Sequence, residues 1–266
     1  MTANKVASAE ALCWAFMGAC GGAGVTSLCL QTAHELSNSH VAGGKARVCL
    51  FDLDMENGAC LQYLNLKPVM THKDLQNPTD RMDMHLLKSL LISHPAGFDI
   101  LGVSKRLGGN QLIDLINILR MLDLLSRAYD YVILDVPRLW VPWTQAAIGG
   151  ADQFSMVCEL DVPSIQNVQG LQKMLQQELT DAKPASVIIN KYDRRSFRYD
   201  VTLKDASKAL GQEPEAVIAV NPNHLKEAIN RGELVGEQNS NSRYVKDVRS
   251  FCQQRISAMP GTKAAV

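Results

Sequence analysis

Short apolar runs rich in β-branched and aromatic residues recur along the chain, separated by longer stretches in which apolar positions return every three or four residues. The runs predict strands near 13–17, 48–52, 98–103, 131–135, 154–159, 187–190 and 216–220. Helices are predicted after Gly24 and across 110–127, 164–179, 203–210, 224–231 and 242–258. This alternation predicts an α/β fold with three layers, a doubly wound and mostly parallel sheet of about seven strands between two layers of helices. No composition shift marks an internal boundary, so one domain over 1–266 is expected. In such sheets ligands gather outside the carboxyl ends of the strands, and the candidate residues below fall at such ends.

Charge narrows the choice of partner. The 266 residues carry 27 basic and 27 acidic side chains, which argues against a nucleic-acid coat or a strongly basic membrane binder. The seven cysteines show no CxxC spacing, and no histidine pair sits four apart, so buried, reduced thiols are expected rather than zinc or disulfides. The first apolar run, near Ala11, is interrupted by glycines too early for a secretory segment. No apolar stretch approaches the roughly 20 residues that span a bilayer. A soluble protein is expected, with any membrane contact peripheral.

The stretch Gly18-Ala19-Cys20-Gly21-Gly22-Ala23-Gly24-Val25-Thr26-Ser27 carries the most chemistry. A phosphate-binding loop reads G-x-x-x-x-G-K followed by Ser or Thr, between a buried strand and a helix. Its backbone N–H groups cradle phosphates while the lysine reaches the outer oxygens. Here Ala19 takes the first glycine position, Gly24 keeps the second, Val25 replaces the lysine and Thr26 keeps the magnesium hydroxyl. The helix N-terminus favours an anion even without lysine, so Gly21, Gly22, Ala23, Gly24, Val25, Thr26 and Ser27 are the candidate nucleotide cradle. A tight turn with no ligand is the plainer alternative.

Two further strand ends carry acids. Phe51-Asp52-Leu53-Asp54 leaves two carboxylates able to hold magnesium through water or to orient an attacking water, and the run 131–134 closes on Asp135. Thr26, Asp52 and Asp135 are the candidate magnesium ligands, direct or through water, and Asp54 the candidate water-orienting residue. Asn190 ends a later strand and suits the edge of a purine. Asn221 and Pro222 follow another strand and suit the same base pocket or an ordinary capped loop. Arg138, just past Asp135, is read as a structural salt bridge before a replacement cation. Cys20 lies where backbone N–H groups lower a thiol pKa, although an ordinary thiol is the favoured reading. The basic loop 194–198 is read as solvated.

These residues, in this order, resemble the deviant Walker ATPases of the MinD/ParA class, P-loop NTPases whose loop reads KGGxGK followed by Ser or Thr, with a signature lysine where Cys20 stands. The strings FDLDMENGACLQYLNLKP (51–68), LLKSLLISHPAG (86–97), YDYVILDVPRLWVPWT (129–144), VIINKY (187–192) and EAINRG (227–232) look like CpaE/TadZ, the pilus-assembly branch of that class. The resemblance runs from about Cys13 to Val235. It implies a cytoplasmic, dimeric protein that localises the assembly machinery of Flp/Tad-type pili, often at a cell pole, and that binds ATP or ADP with Mg2+. Members of the branch often lack the Walker lysine, in line with Val25, whereas Cys20 departs from the parent class. They also commonly carry a receiver-like domain ahead of the ATPase domain, which this chain is expected to lack.

A charge-assisted hydrogen bond to phosphate contributes ~1.5–3 kcal/mol, so loss of the Walker lysine weakens binding by roughly ten- to a hundredfold. Cations at the transferring phosphoryl group act mainly on the transition state, where one is worth on the order of 10³–10⁵ in rate. A nucleotide-responsive switch with negligible turnover is therefore expected, against the alternative of an active ATPase partitioning cargo on DNA or membrane. The last helix, with Val245, Val248, Cys252, Ile256 and Met259 near one face, could lie on an anionic membrane, but packing onto the sheet is the favoured reading.

Overall fold

The computed structural model of the protein describes residues 10–41, 44–76, 82–179, 184–193 and 200–258. The strands are β1 (Leu12–Gly18), β2 (His40–Val41), β3 (Gly44–Lys45), β4 (Val48–Asp52), β5 (Ile92–His94), β6 (Phe98–Leu101), β7 (Tyr131–Val136), β8 (Gln153–Cys158), β9 (Ser186–Tyr192) and β10 (Ala216–Ala219). Eight of them form one sheet in the order β10-β9-β8-β1-β7-β4-β6-β5, with β2 and β3 a small separate hairpin. All neighbours in the large sheet are parallel except β5, which runs antiparallel to β6. The seven expected strands are present. The eighth, β5, spans three residues and returns through a turn at Gly97 (φ 96°), too short a run to show a period.

The helices are α1 (Val25–Ser37), α2 (Cys60–Tyr63), α3 (His72–Gln76), α4 (Met84–Leu90), α5 (Leu115–Ala128), α6 (Pro142–Gly149), α7 (Val162–Glu178), α8 (Leu203–Leu210), α9 (Pro222–Arg231), α10 (Val235–Gln238) and α11 (Arg243–Ser257). The helix expected over 110–127 is broken near its start. Asp114 is extended and its carboxylate accepts the Ile116 N–H at 2.9 Å, so α5 begins afresh at Leu115 after a single 3-10 turn at Gly109–Leu112.

Alternation along the strands divides the core between the two faces of the sheet. Trp14, Phe16, Leu50, Ile133 and Ile188 pack on one side with α1 and α11, whereas Ala15, Met17, Phe51, Leu134 and Ile189 pack on the other with α5 to α8. Helix α11 buries Tyr244, Val245, Val248, Phe251 and Cys252. That packing removes the membrane contact considered for this helix, because the apolar face that would enter a lipid surface is already in the core. Met259 lies outside the described residues.

One charged residue of α11 lies in the core. Arg255 is buried, with its guanidinium over the rings of Phe251 (4.6 Å) and Trp14 (5.0 Å), ion-paired with Glu215 and donating to Ser155 Oγ at 2.7 Å. Its charge is desolvated, and the acid and the aromatic faces offset that cost. Arg255→Ala strands Glu215 and opens a void beside Trp14. The expected loss is about 2–3 kcal/mol of unfolding free energy, measured by urea denaturation.

Candidate functional site

Strand β1 runs down the middle of the sheet, and the Ala19 N–H extends its ladder by donating to Val157 O at 2.8 Å. The chain then turns through Gly22 (φ 77°) and Gly24 (φ 85°) into α1. Gly24 has a second reason to be glycine: a Cβ there would stand 2.6 Å from Asn190 Nδ2. No side chain caps α1 and no acid lies in its first turn, so the donors at its start are left for an outside acceptor. They border a cavity of about 280 Å³ lined by Gly18, residues 20–27, Asp54, residues 57–59, Tyr63 and residues 135–138. Cys20 and Val25, at the two lysine positions, are partly buried against the apolar face shared with α1, and Cys20 Sγ lies 3.4 Å from Ser164 Oγ.

Parallel pairing of β4 with β7 sets Asp52 opposite Asp135. Both are nearly inaccessible, at 5% and 6% exposure. Asp135 Oδ2 accepts the Thr26 hydroxyl at 2.7 Å and the Cys60 thiol at 3.6 Å. Asp52 accepts the N–H groups of Cys60 (3.1 Å) and Asp54 (3.2 Å). Burial, and then the neighbouring Asp135 charge, pushes the Asp52 carboxyl well above the usual carboxylate range. Burial also pushes Asp135 up, partly offset by its bonds from Thr26 and Cys60. Among the described residues no cation pairs with either acid. Thr26, Asp52 and Asp135 lie together, and two buried carboxylates beside a hydroxyl form an oxygen set suited to a small divalent ion such as Mg2+. Cys60 was not foreseen: its thiol lies within 4.8 Å of both acids, and a lone buried cysteine carries no spacing signal.

Asp54 borders the same cavity with its carboxylate braced. Its Oδ1 accepts the Asn57 N–H at 2.9 Å and Asn110 Nδ2 at 3.3 Å, closing the turn that carries the chain past the acids. Gly58 lies inside that turn. A Cβ on it would press on Asp54 O and come within 2.5 and 2.6 Å of the two Asp52 carboxylate oxygens.

Other candidates fall elsewhere. Asn190 is buried, and its amide donates to Ala23 O at 2.8 Å. That bond braces the loop, and strand alternation turns the side chain toward α1. Asn221 and Pro222 do not line the loop cavity. They open α9, with Asn221 Oδ1 2.7 Å from His224 Nδ1. Arg138 makes no ion pair among the described residues, against the structural salt bridge expected of it. It is exposed, lines the cavity and donates to Ala19 O at 3.4 Å. The basic loop 194–198 lies outside the described residues.

No protein-family model and no curated protein matches the chain. Solved structures do. A ParA family ATPase from Chlorobium tepidum TLS superposes with a TM-score of 0.81 at 19% identity, covering 92% of this chain and 99% of that one. The MinD cell division protein of Aquifex aeolicus gives 0.75 at 20% identity, over 95% and 100%. The septum site-determining protein MinD from Pyrococcus horikoshii OT3, solved with Mg-ADP, gives 0.76 at 16% identity, over 96% and 100%. The likeness is one of fold: an α/β sheet of the MinD/ParA P-loop type.

Two substitutions test this geometry. Gly58→Ala is expected to cost about 2–3 kcal/mol of stability by urea unfolding, since the added carbon meets backbone and carboxylate rather than a flexible side chain. Asp135→Asn tests the buried charge. A carboxyl whose folded pKa is raised favours folding fully below its unfolded value, and that contribution is lost as pH rises through the folded value. Relative to wild type, the variant is therefore expected to gain about 1–3 kcal/mol between pH 4.5 and pH 8 without divalent cations. Mg2+ should raise the melting temperature of the wild type but not of the variant.

Proposed function

We propose that this chain binds ATP or ADP with Mg2+ at the glycine loop, forms homodimers, and acts in the cytoplasm as a localisation and assembly factor for Flp/Tad-type pili, with weak or no hydrolysis. One observation carries the nucleotide reading. The loop keeps its left-handed glycines and uncapped helix start beside two buried carboxylates that no cation pairs with among the described residues, while Cys20 and Val25 give it no positive charge. An anion acceptor next to a cation acceptor suits a magnesium polyphosphate, and the similar Pyrococcus MinD was solved with Mg-ADP.

In this reading the backbone from Gly21 to Ser27 cradles the phosphates. Thr26 and Asp135 hold the cation, with Asp52 behind them through water, and Asp54 orients water in any residual turnover. Bound Mg2+ supplies charge neutralisation at the phosphates and at the two acids. Without lysine, the cradle retains ground-state binding and loses most of the transition-state stabilisation. The pilus role rests on the strings shared with CpaE/TadZ. The burial of α11 speaks against the alternative of a partitioning ATPase held to a membrane by that helix.

Isothermal titration with ATP and Mg2+ is expected to give saturable binding, with light scattering showing a dimer. Phosphate release should lie at least about 10³-fold below that of a lysine-bearing ParA-type ATPase. Turnover at the rate of such an enzyme would overturn the switch reading. Deleting the gene is expected to abolish pili of this type and leave DNA partitioning intact.

A further inference from the structure

A polyphosphate lying in the loop cavity meets no cation from the loop, yet the cavity is not without one. Among the described residues, Arg138 is the only basic side chain that lines it. We propose that Arg138 is the phosphate-binding cation of this chain, its guanidinium delivered from the turn after β7 in place of the two missing loop lysines. The inference rests on the reading that the cavity takes a nucleotide.

Two observations support it. Arg138 is exposed, is unpaired with any carboxylate among the described residues, and is held only by a long 3.4 Å bond from Nη1 to Ala19 O. A bond of that length is weak and leaves most of the guanidinium donors open. It lies at the entrance of the loop, because Ala19 is the first residue past β1.

The backbone that carries Arg138 is held in place. Pro137 is buried and its carbonyl accepts the Leu139 N–H at 2.7 Å. The Thr144 hydroxyl donates to Leu139 O at 2.7 Å, and its oxygen accepts the Val141 N–H at 3.1 Å. Trp143 is buried and anchors the segment by donating to Asn110 O at 3.2 Å. The string PRLWVPWT is thus a rigid bracket that presents one arginine three residues from Asp135. A guanidinium stays charged throughout the physiological range and meets phosphate oxygens through a planar, two-pronged donor set, so it binds the ground state well from a fixed base.

Titration calorimetry tests the assignment, with ATP plus Mg2+ and with tripolyphosphate as separate probes. Arg138→Ala is expected to weaken both by about ten- to a hundredfold without lowering the melting temperature, and adding Val25→Lys to it should recover most of the loss. Unchanged affinity in Arg138→Ala would overturn the proposal, as would a loss that Val25→Lys fails to recover. If the wild type binds tripolyphosphate through Arg138 but not ATP, the anion site stands and the nucleotide reading falls. If it binds neither probe, both fall.

Discussion

Two carboxylates held side by side in the interior are the constraint around which the carboxyl edge of this sheet is built. Parallel register places Asp52 against Asp135, and a slip of one residue would send either to the other face. What surrounds the pair stabilises oxygen without neutralising it: two backbone N–H groups, a hydroxyl, a thiol, and a glycine that leaves room. The treatment of Arg255 near the opposite strand ends is different, since that buried charge has Glu215 for a partner. The molecule encloses a cation with its counterion in one place and, among the described residues, leaves two acids without one in another. That asymmetry separates a structural charge from a receptive one.

The loop above the acids has the opposite character. Its geometry is intact, but the positions that would carry charge have been absorbed into packing, Val25 and Cys20 both lying against the apolar layer beneath α1. Both positions also border the cavity, so a lysine placed at either can extend into it. The loop is braced from the side by Asn190, whose amide fills the space that a Cβ on Gly24 would need. A cradle of this kind is preformed, so little ordering entropy opposes a ligand. Nothing in the loop itself supplies the charge that turnover demands.

The central strands were legible because buried parallel strands are apolar runs ending in chemistry, and 131–135 with its closing Asp135 shows this plainly. The edge strand Ile92–His94 was not, since three residues hold no period. The start of α5 is not legible, because an aspartate such as Asp114 fits equally as a polar helix position and as a cap, and only the backbone decides between them. At the site, residue types and strand ends were readable, while side-chain direction was not. Asn190 lies at the end of its strand as expected, yet it shares the face of Ile188 rather than Ile189 and so turns to the loop. Cys60, Asn110 and Arg138 owe their roles to contacts across 55 to 119 residues or to a buried neighbour, and no local pattern encodes those.

Tyr244, on α11, donates its hydroxyl to the carbonyl of Ser27 at 2.9 Å, across 217 residues of chain. The first turn of α1 therefore receives one of its supports from an element translated more than 200 residues later. A growing chain exposes a glycine loop and its helix long before α11 can close over Trp14 and Phe16. In such a chain the loop lacks this backing until translation has passed α11, so its geometry is set late by a distant element rather than by its own neighbours.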